Sequence, residues 1–153
     1  MSKVCVVGLG YIGLPVASML ASRGHDVVGY DVSRPAVDSI NSGRSHFFEP
    51  ELDMLLSAAV QTQRLRAQTE PSEADYFIIA VPTPLAADKQ PDMTYVETAT
   101  RQIAPFVKPG ATIILESTSP VGTTEKIAAE LAVLRPDLRL PEYQTTGEGA
   151  DVH

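Results

Sequence analysis

Positive charge, cysteine and long apolar runs are all scarce in this sequence, and each scarcity removes a class of protein. Lysines and arginines number 12 against 19 aspartates and glutamates, giving a net charge of −7 over 153 residues. An acidic chain of this size is a poor partner for nucleic acid or for an anionic membrane surface. It also repels an anionic dinucleotide at long range, so any such ligand must be held by local donors, such as a helix N-terminus. The one cysteine, Cys5, has no partner for an internal disulfide, and no Cys/His cluster has metal-ligand spacing. No apolar run approaches the roughly 18 to 20 residues that cross a bilayer. Only four apolar residues stand between Lys3 and Gly8, too few for the core of a signal peptide. The expectation is a soluble cytoplasmic chain with no solenoid repeat, long enough for one domain with its own core.

What is present is an alternation of two periods. Val4-Cys5-Val6-Val7 is a continuous apolar run closed by Gly8, the pattern of a buried strand. From about Tyr11 to Arg23, Ile12, Val16, Met19 and Leu20 recur at helical spacing, with Gly24 as the stop. Val27 to Tyr30 reads as a second strand ending at Asp31, which completes a β-α-β unit. A helix opening at Glu49-Pro50 carries Leu52, Leu55, Leu56, Ala59 and Val60 on one face. Residues 64–67 suggest a short edge strand, and residues 76–81 a strong one stopped by Pro82-Thr83-Pro84. Thr94 to Glu97 has the spacing of a capping box. The helix behind it turns Val96, Ala99, Ile103 and Val107 inward. Residues 112–115 form the next strand. A last helix, from about Val121 to Leu134, points Ile127, Leu131 and Leu134 inward, with Ser119 as a cap and Pro120 in its first position. The order β-α-β-α-α-β-β-α-β-α predicts an α/β fold, a Rossmann-type doubly wound parallel sheet in a single domain over residues 1–134. Residues 135–153 are polar, interrupted by Pro136, Pro141, Gly147 and Gly149, and read as loop.

Gly8-Leu9-Gly10-Tyr11-Ile12-Gly13 is a G-x-G-x-x-G between a predicted strand and a predicted helix. Gly8 permits a tight turn, Gly10 lets a pyrophosphate approach the backbone, and Gly13 lets the helix pack on the strand. Free N–H groups at the helix start then hold the phosphates. Asp31 follows Gly13 by 18 residues at the end of the second strand. There it would accept hydrogen bonds from the adenosine ribose and repel a 2′-phosphate, which favours NAD over NADP. Arg34 nearby argues mildly the other way, and the motif by itself also fits FAD. Two further segments fall at the same edge of such a sheet. Val81, Pro82 and Thr83 lie in an extended loop that either faces the cofactor or merely stops a strand. Glu116, Ser117 and Thr118 lie between a strand and a helix. There the hydroxyls either face the nicotinamide half or serve as caps and turn formers.

With these motifs in view, the chain resembles the UDP-glucose/GDP-mannose dehydrogenase family. The resemblance runs from about Lys3 to the end. It rests on residues 7–15, on Ala80 to Pro84 and on Leu115 to Thr124. The stretch around Gly43, with His46, Glu49-Pro50 and Leu52, and the run from Gln90 to Glu97 are similar to the bacterial UDP-N-acetyl-D-mannosamine branch. UDP-glucose, UDP-N-acetylglucosamine and GDP-mannose relatives are the alternatives. The resemblance implies oxidation of a sugar C6 alcohol to a carboxylate with two NAD, giving UDP-N-acetyl-D-mannosaminuronate in this branch. A cysteine thiol would capture the intermediate aldehyde. It also implies NAD contacts from Gly8, Gly10, Tyr11, Ile12, Gly13, Asp31, Val81, Pro82, Thr83, Glu116, Ser117 and Thr118. Thr118 would serve as an auxiliary catalytic residue beside the nicotinamide, and Glu116 would orient the loop.

The family's nucleophilic cysteine, with its Lys, Asn and Asp, has no counterpart here. Cys5 falls inside a strand, and Lys3, Lys89, Lys108 and Lys126 fall at termini, turns or helix surfaces. His25 and His46 lie in loops without a thiol or acid at a telling spacing. Pro141-Glu142-Tyr143 superficially matches a family Pro-Glu motif but follows no strand. The expectation is a chain that lacks its sixth strand, the central helix and the UDP-binding domain. It would bind NAD, meet a UDP-sugar only as part of a full-length enzyme, and oxidise no sugar by itself. Its open sheet edge at residues 112–115 would invite self-association. A non-enzymatic NAD/NADH-binding module, a split enzyme, and a short hydroxyacid dehydrogenase are the rival readings. The last of these would need a catalytic Lys or His directly after the fifth strand, and residues 116–125 contain neither.

Overall fold

The computed structural model describes residues 1–85, 90–141 and 152. Lys89, Glu142, Tyr143, Gly147, Gly149, Asp151 and His153 lie outside the described residues. The elements run β1 (Lys3–Val7), α1 (Gly13–Ser22), β2 (Asp26–Tyr30), α2 (Arg34–Asn41), α3 (Pro50–Gln61), β3 (Leu65–Gln68), β4 (Tyr76–Ile79), α4 (Thr94–Ile103), a short turn of 3-10 helix (Ala104–Phe106), β5 (Thr112–Leu115) and α5 (Thr123–Leu134). All strand pairs are parallel, in the order β3-β2-β1-β4-β5. This is the expected Rossmann-type sheet.

Successive residues of a strand point to opposite faces, and β1 shows what that does here. Val4 and Val6 join Leu14, Ala17, Val37, Ile40, Leu52 and Leu56 in one core layer, under α1, α2 and α3. Cys5 and Val7 join Phe77, Ile79, Ala99 and Ile103 in the other, under α4. A third cluster packs α5 against α4 through Val96, Ala104, Ile127 and Leu131. A central strand covered on both faces must be apolar throughout, as residues 4–7 are.

Three local expectations are corrected. The buried face of α1 is Gly13, Leu14, Ala17, Ser18 and Ala21, whereas Ile12 and Met19 are more than half exposed. Small side chains let α1 lie close to the sheet, and the Ser18 hydroxyl is satisfied by donating to the Leu14 carbonyl at 2.9 Å. The capping box does not form. Thr94 is already the first helical residue, and the Asp92 carboxylate accepts its N–H at 2.9 Å instead. At α5, neither Ser119 nor Pro120 takes its expected place. The helix is capped by Gly122 at φ +87°, and its last residue, Leu134, is substantially exposed.

After α5 the described chain, residues 135–141, has no regular element, as expected, yet it is anchored. The Arg135 guanidinium donates to the carbonyls of Ala104 and Val107 at 2.8 and 2.6 Å, and Leu138 is buried. On the outer side of β5, Ala111 forms a parallel bridge with Val152, whose side chain is buried in the second core layer. Among the described residues, no strand pairs with the outer edge of β5 itself.

Candidate dinucleotide site

The chain leaves β1 for α1 on one side of the sheet, and leaves β3 for β4 on the other side of β1. The crevice between the carboxyl ends of β1 and β4 is therefore the switch point where such sheets take ligands. A cavity of about 780 Å³ opens there, bordered by Val7 and Gly8 at the end of β1, Tyr30 to Val32 at the end of β2, and Ala80 to Pro82 just after β4. That volume lies within the usual range for cofactor sites.

The glycine-rich turn is built by sterics. Gly8 has φ +89°, a left-handed value that side chains resist. A Cβ on Gly8 would also sit 2.7 Å from the Ala80 carbonyl oxygen. A Cβ on Gly13 would lie 1.8 Å from the Gly8 carbonyl oxygen, which no L side chain can satisfy without moving the helix. A Cβ on Gly10 would meet no protein atom within 4 Å, and Gly10 lines the cavity. The open space over Gly10 thus belongs to the ligand side. Among the described residues, the N–H groups of Gly10, Tyr11 and Ile12 have no backbone or side-chain acceptor. They stand at the positive end of α1, where an anion is the partner that satisfies them.

Asp31 closes the far end. Its Oδ2 accepts the Leu9 N–H at 2.9 Å and its Oδ1 accepts the Ser33 N–H at 2.8 Å. Each carboxylate oxygen keeps further acceptor capacity. The neighbouring Tyr30 phenol is pushed above its ordinary value, first by burial and then by the Asp31 charge.

Of the twelve cofactor positions expected from sequence, Gly8, Gly10, Tyr11, Ile12, Asp31, Val81 and Pro82 line the cavity. Gly13 is buried behind it. Thr83, Glu116, Ser117 and Thr118 are brought to the same edge but are not part of the cavity wall. The Ser117 hydroxyl donates to the Val81 carbonyl at 2.7 Å, and the N–H groups of Glu116 and Ser117 both donate to the Ile79 carbonyl. These bonds tie the β5 exit to the β4 exit. Thr118 is exposed beyond them.

One wall was not anticipated. Tyr95, Thr98, Ala99 and Gln102 of α4 face the cavity, with Asp92 and Thr94 at the helix start. They follow an i, i+3, i+4, i+7 stripe, which is one face of a helix. The signal was therefore present, but it runs beside the apolar stripe of Val96, Ala99 and Ile103 and is masked by it. The second unanticipated feature is the ring of Tyr11, which lies 4.4 Å from that of Phe47, itself edge-on to His46. This pairing joins the glycine turn to the loop between α2 and α3. Cys5 is fully buried and its thiol is pushed up to about 11, chiefly by burial, so it offers no nucleophile. Among the described residues, no group of three or more His, Cys, Asp or Glu could hold a metal, and no helix is long and apolar enough to cross a membrane.

Comparison with known proteins agrees with this geometry. A UDP-N-acetyl-D-mannosamine dehydrogenase of Escherichia coli K12 is 56% identical over 152 residues, covering 99% of this chain and 36% of that protein. An NDP-N-acetyl-D-galactosaminuronic acid dehydrogenase of Ralstonia nicotianae is also 56% identical, over 149 residues, 97% of this chain and 35% of that one. Among solved structures, a UDP-D-ManNAc dehydrogenase from Pyrococcus horikoshii matches with a TM-score of 0.87 at 43% identity, covering 98% of this chain and 34% of that one. The chain thus spans about a third of the length of these relatives. The model of the UDP-glucose/GDP-mannose dehydrogenase family's NAD-binding domain matches residues 2–145. With the parallel sheet, the glycine turn and the Asp31 carboxylate at the end of β2 all in place, this chain belongs to the UDP-glucose/GDP-mannose dehydrogenase family as its NAD-binding domain.

Proposed function

We propose that this domain holds NAD for a nucleotide-sugar 6-dehydrogenase whose substrate is a UDP-N-acetylhexosamine, with UDP-N-acetyl-D-mannosamine as the first choice. The observation that carries the cofactor part is the set of unpaired N–H groups at Gly10, Tyr11 and Ile12, facing open space over Gly10 with the Asp31 carboxylate beyond. Phosphates would take the first and the adenosine ribose the second. When bound, NAD supplies a hydride acceptor. The chain's own work is to bind and orient it. Val81 and Pro82 wall the crevice, and Thr83, Glu116, Ser117 and Thr118 flank the nicotinamide half, with Thr118 the residue placed to meet the reacting end.

The two relatives at equal identity support the sugar class and leave the hexosamine open between mannosamine and galactosamine. The buried, unreactive Cys5 supports a further part of the reading. In that reading these 153 residues bind NAD but oxidise no sugar, because thiol capture of an aldehyde needs an accessible, reactive cysteine and Cys5 is neither. Residues 135–153 would lead into a sixth parallel strand, and the Ala111–Val152 bridge supports that.

Calorimetric titration of the chain with NAD and NADP tests the cofactor reading. Saturable NAD binding, with NADP at least about tenfold weaker, about 1.4 kcal/mol, is the expected result. A folded chain that binds neither would overturn it. Incubation with each UDP-N-acetylhexosamine and NAD should give no NADH absorbance, and any turnover would overturn the second part.

A further inference from the structure

Asp31 is engaged by the chain's own backbone. Its Oδ2 holds the N–H of Leu9, 22 residues earlier in sequence and inside the glycine turn. Two other contacts clamp the same pair of residues to β2. The Gly8 N–H donates to the Tyr30 carbonyl at 2.8 Å. The Leu9 side chain is fully buried against Gly29, where an added Cβ would lie 2.7 Å from a Leu9 methyl. The next residue in the chain, Gly10, begins the run of N–H groups without acceptors. The donors that would meet a phosphate are therefore presented by a backbone whose direction is set one residue earlier, and Asp31 holds the polar half of that setting.

We propose that Asp31 is a positioning residue for the phosphate turn as well as an acceptor for the adenosine ribose, so that affinity for the diphosphate itself depends on it. The proposal rests on the NAD reading above. An N–H bond to an ionised acceptor is about twice as strong as a neutral one. A consequence is that replacing Asp31 by a residue without an acceptor oxygen does not transfer the site to NADP. Such a substitution removes the repulsion of a 2′-phosphate but also releases the turn that must bind the diphosphate.

The two roles predict opposite signs. If Asp31 only met the ribose, removing its negative charge would leave binding of the diphosphate unchanged or improve it. If it positions the turn, binding falls. The probe is an NAD analogue whose adenosine ribose lacks both hydroxyls, titrated against the wild-type chain, Asp31→Asn and Asp31→Ala, with NAD on the wild type as the separate check of the cofactor reading. Asp31→Asn keeps an acceptor oxygen for Leu9 and should hold the analogue within a few-fold of wild type. Asp31→Ala should lose roughly ten- to a hundredfold, the range that follows from one lost bond to a charged group, and should bind NADP no better than the wild type does. Analogue affinity that is unchanged or improved in Asp31→Ala overturns the proposal, even where NAD binds the wild type well. Hydrogen exchange at the Leu9 amide, measured without ligand, gives a second readout. Across the variants that fold, protection there must fall in step with analogue affinity. An Asn variant that loses protection yet keeps the affinity overturns the proposal even if the alanine variant is unfolded.

Discussion

Substituting alanine at two glycines three residues apart, Gly13 and Gly10, separates what the turn does for the fold from what it does for the ligand. A Cβ at Gly13 would lie 1.8 Å from the Gly8 carbonyl oxygen, a backbone atom that cannot swing aside. Either α1 lifts from the sheet or Gly8 moves off β1. Overpacking of this kind costs about 1–3 kcal/mol, and the clash places Gly13→Ala in the upper part of that range. The helical gain of alanine over glycine returns at most about 1 kcal/mol, and less at a first helical residue. A net loss of about 2 kcal/mol remains, which for a domain of this size lowers Tm by roughly 4–8 °C. Gly10→Ala meets no protein atom within 4 Å, so its stability should stay within about 0.5 kcal/mol of wild type. Its methyl would instead occupy the space over the unpaired N–H groups, and NAD affinity should fall at least about tenfold. Differential scanning calorimetry and NAD titration of both variants give the four numbers. Gly13→Ala should lose stability and binding together, and Gly10→Ala binding alone. A Gly13→Ala chain that melts like the wild type, or a Gly10→Ala chain that binds NAD undiminished, would refute the steric reasoning.

Two further outcomes follow from the titrating groups. Cys5, fully buried with its thiol pushed up to about 11, should resist maleimide at neutral pH and label fully in denaturant, because both access and thiolate are withheld in the fold. Stoichiometric labelling of the native chain, read by mass spectrometry, would contradict this. The Asp92 carboxylate sits below its ordinary 3.8 because it accepts hydrogen bonds from Thr94, both side chain and backbone. A depressed folded value means that its contribution is present above the ordinary value and is lost as pH falls through the folded one. The Tm gap between wild type and Asp92→Asn should therefore be open at pH 6 and narrow toward pH 3. A gap that widens on acidification would reverse the assignment.

Much of this domain is legible along the chain because the governing interactions are short in sequence or absolute in sterics. Residues 4–7 have to be buried on both sides, since no polar face is offered, and the alternation of such runs with helical stripes dictates a parallel sheet. The spacing of Gly8, Gly10, Gly13 and Asp31 implies a diphosphate turn because few other residue types tolerate those positions. The first helix shows where this logic stops. Ile12 and Met19 belong to the large apolar residues that recur at helical spacing, whereas the fold buries Ala17, Ser18 and Ala21. Close approach of helix to sheet, not hydrophobicity, selects that face.

Other features were not legible along the chain. The Asp92 carboxylate, two residues before Thr94, takes the capping role expected of Thr94, and residue type alone does not choose between two neighbouring caps. Ser119 and Pro120 look like a helix start until the β5 exit is drawn toward Ile79 and Val81, which delays α5 to Thr123. The cavity wall on α4 exists only once that helix lies across the ends of β1 and β4. Sequence by itself thus determined the sheet, its winding and the glycine turn, whose requirements are local. Tertiary structure alone decided that Asp31 reaches back 22 residues to Leu9, because a hydrogen bond between two strand ends needs the register of β1 on β2 to bring donor and acceptor within reach.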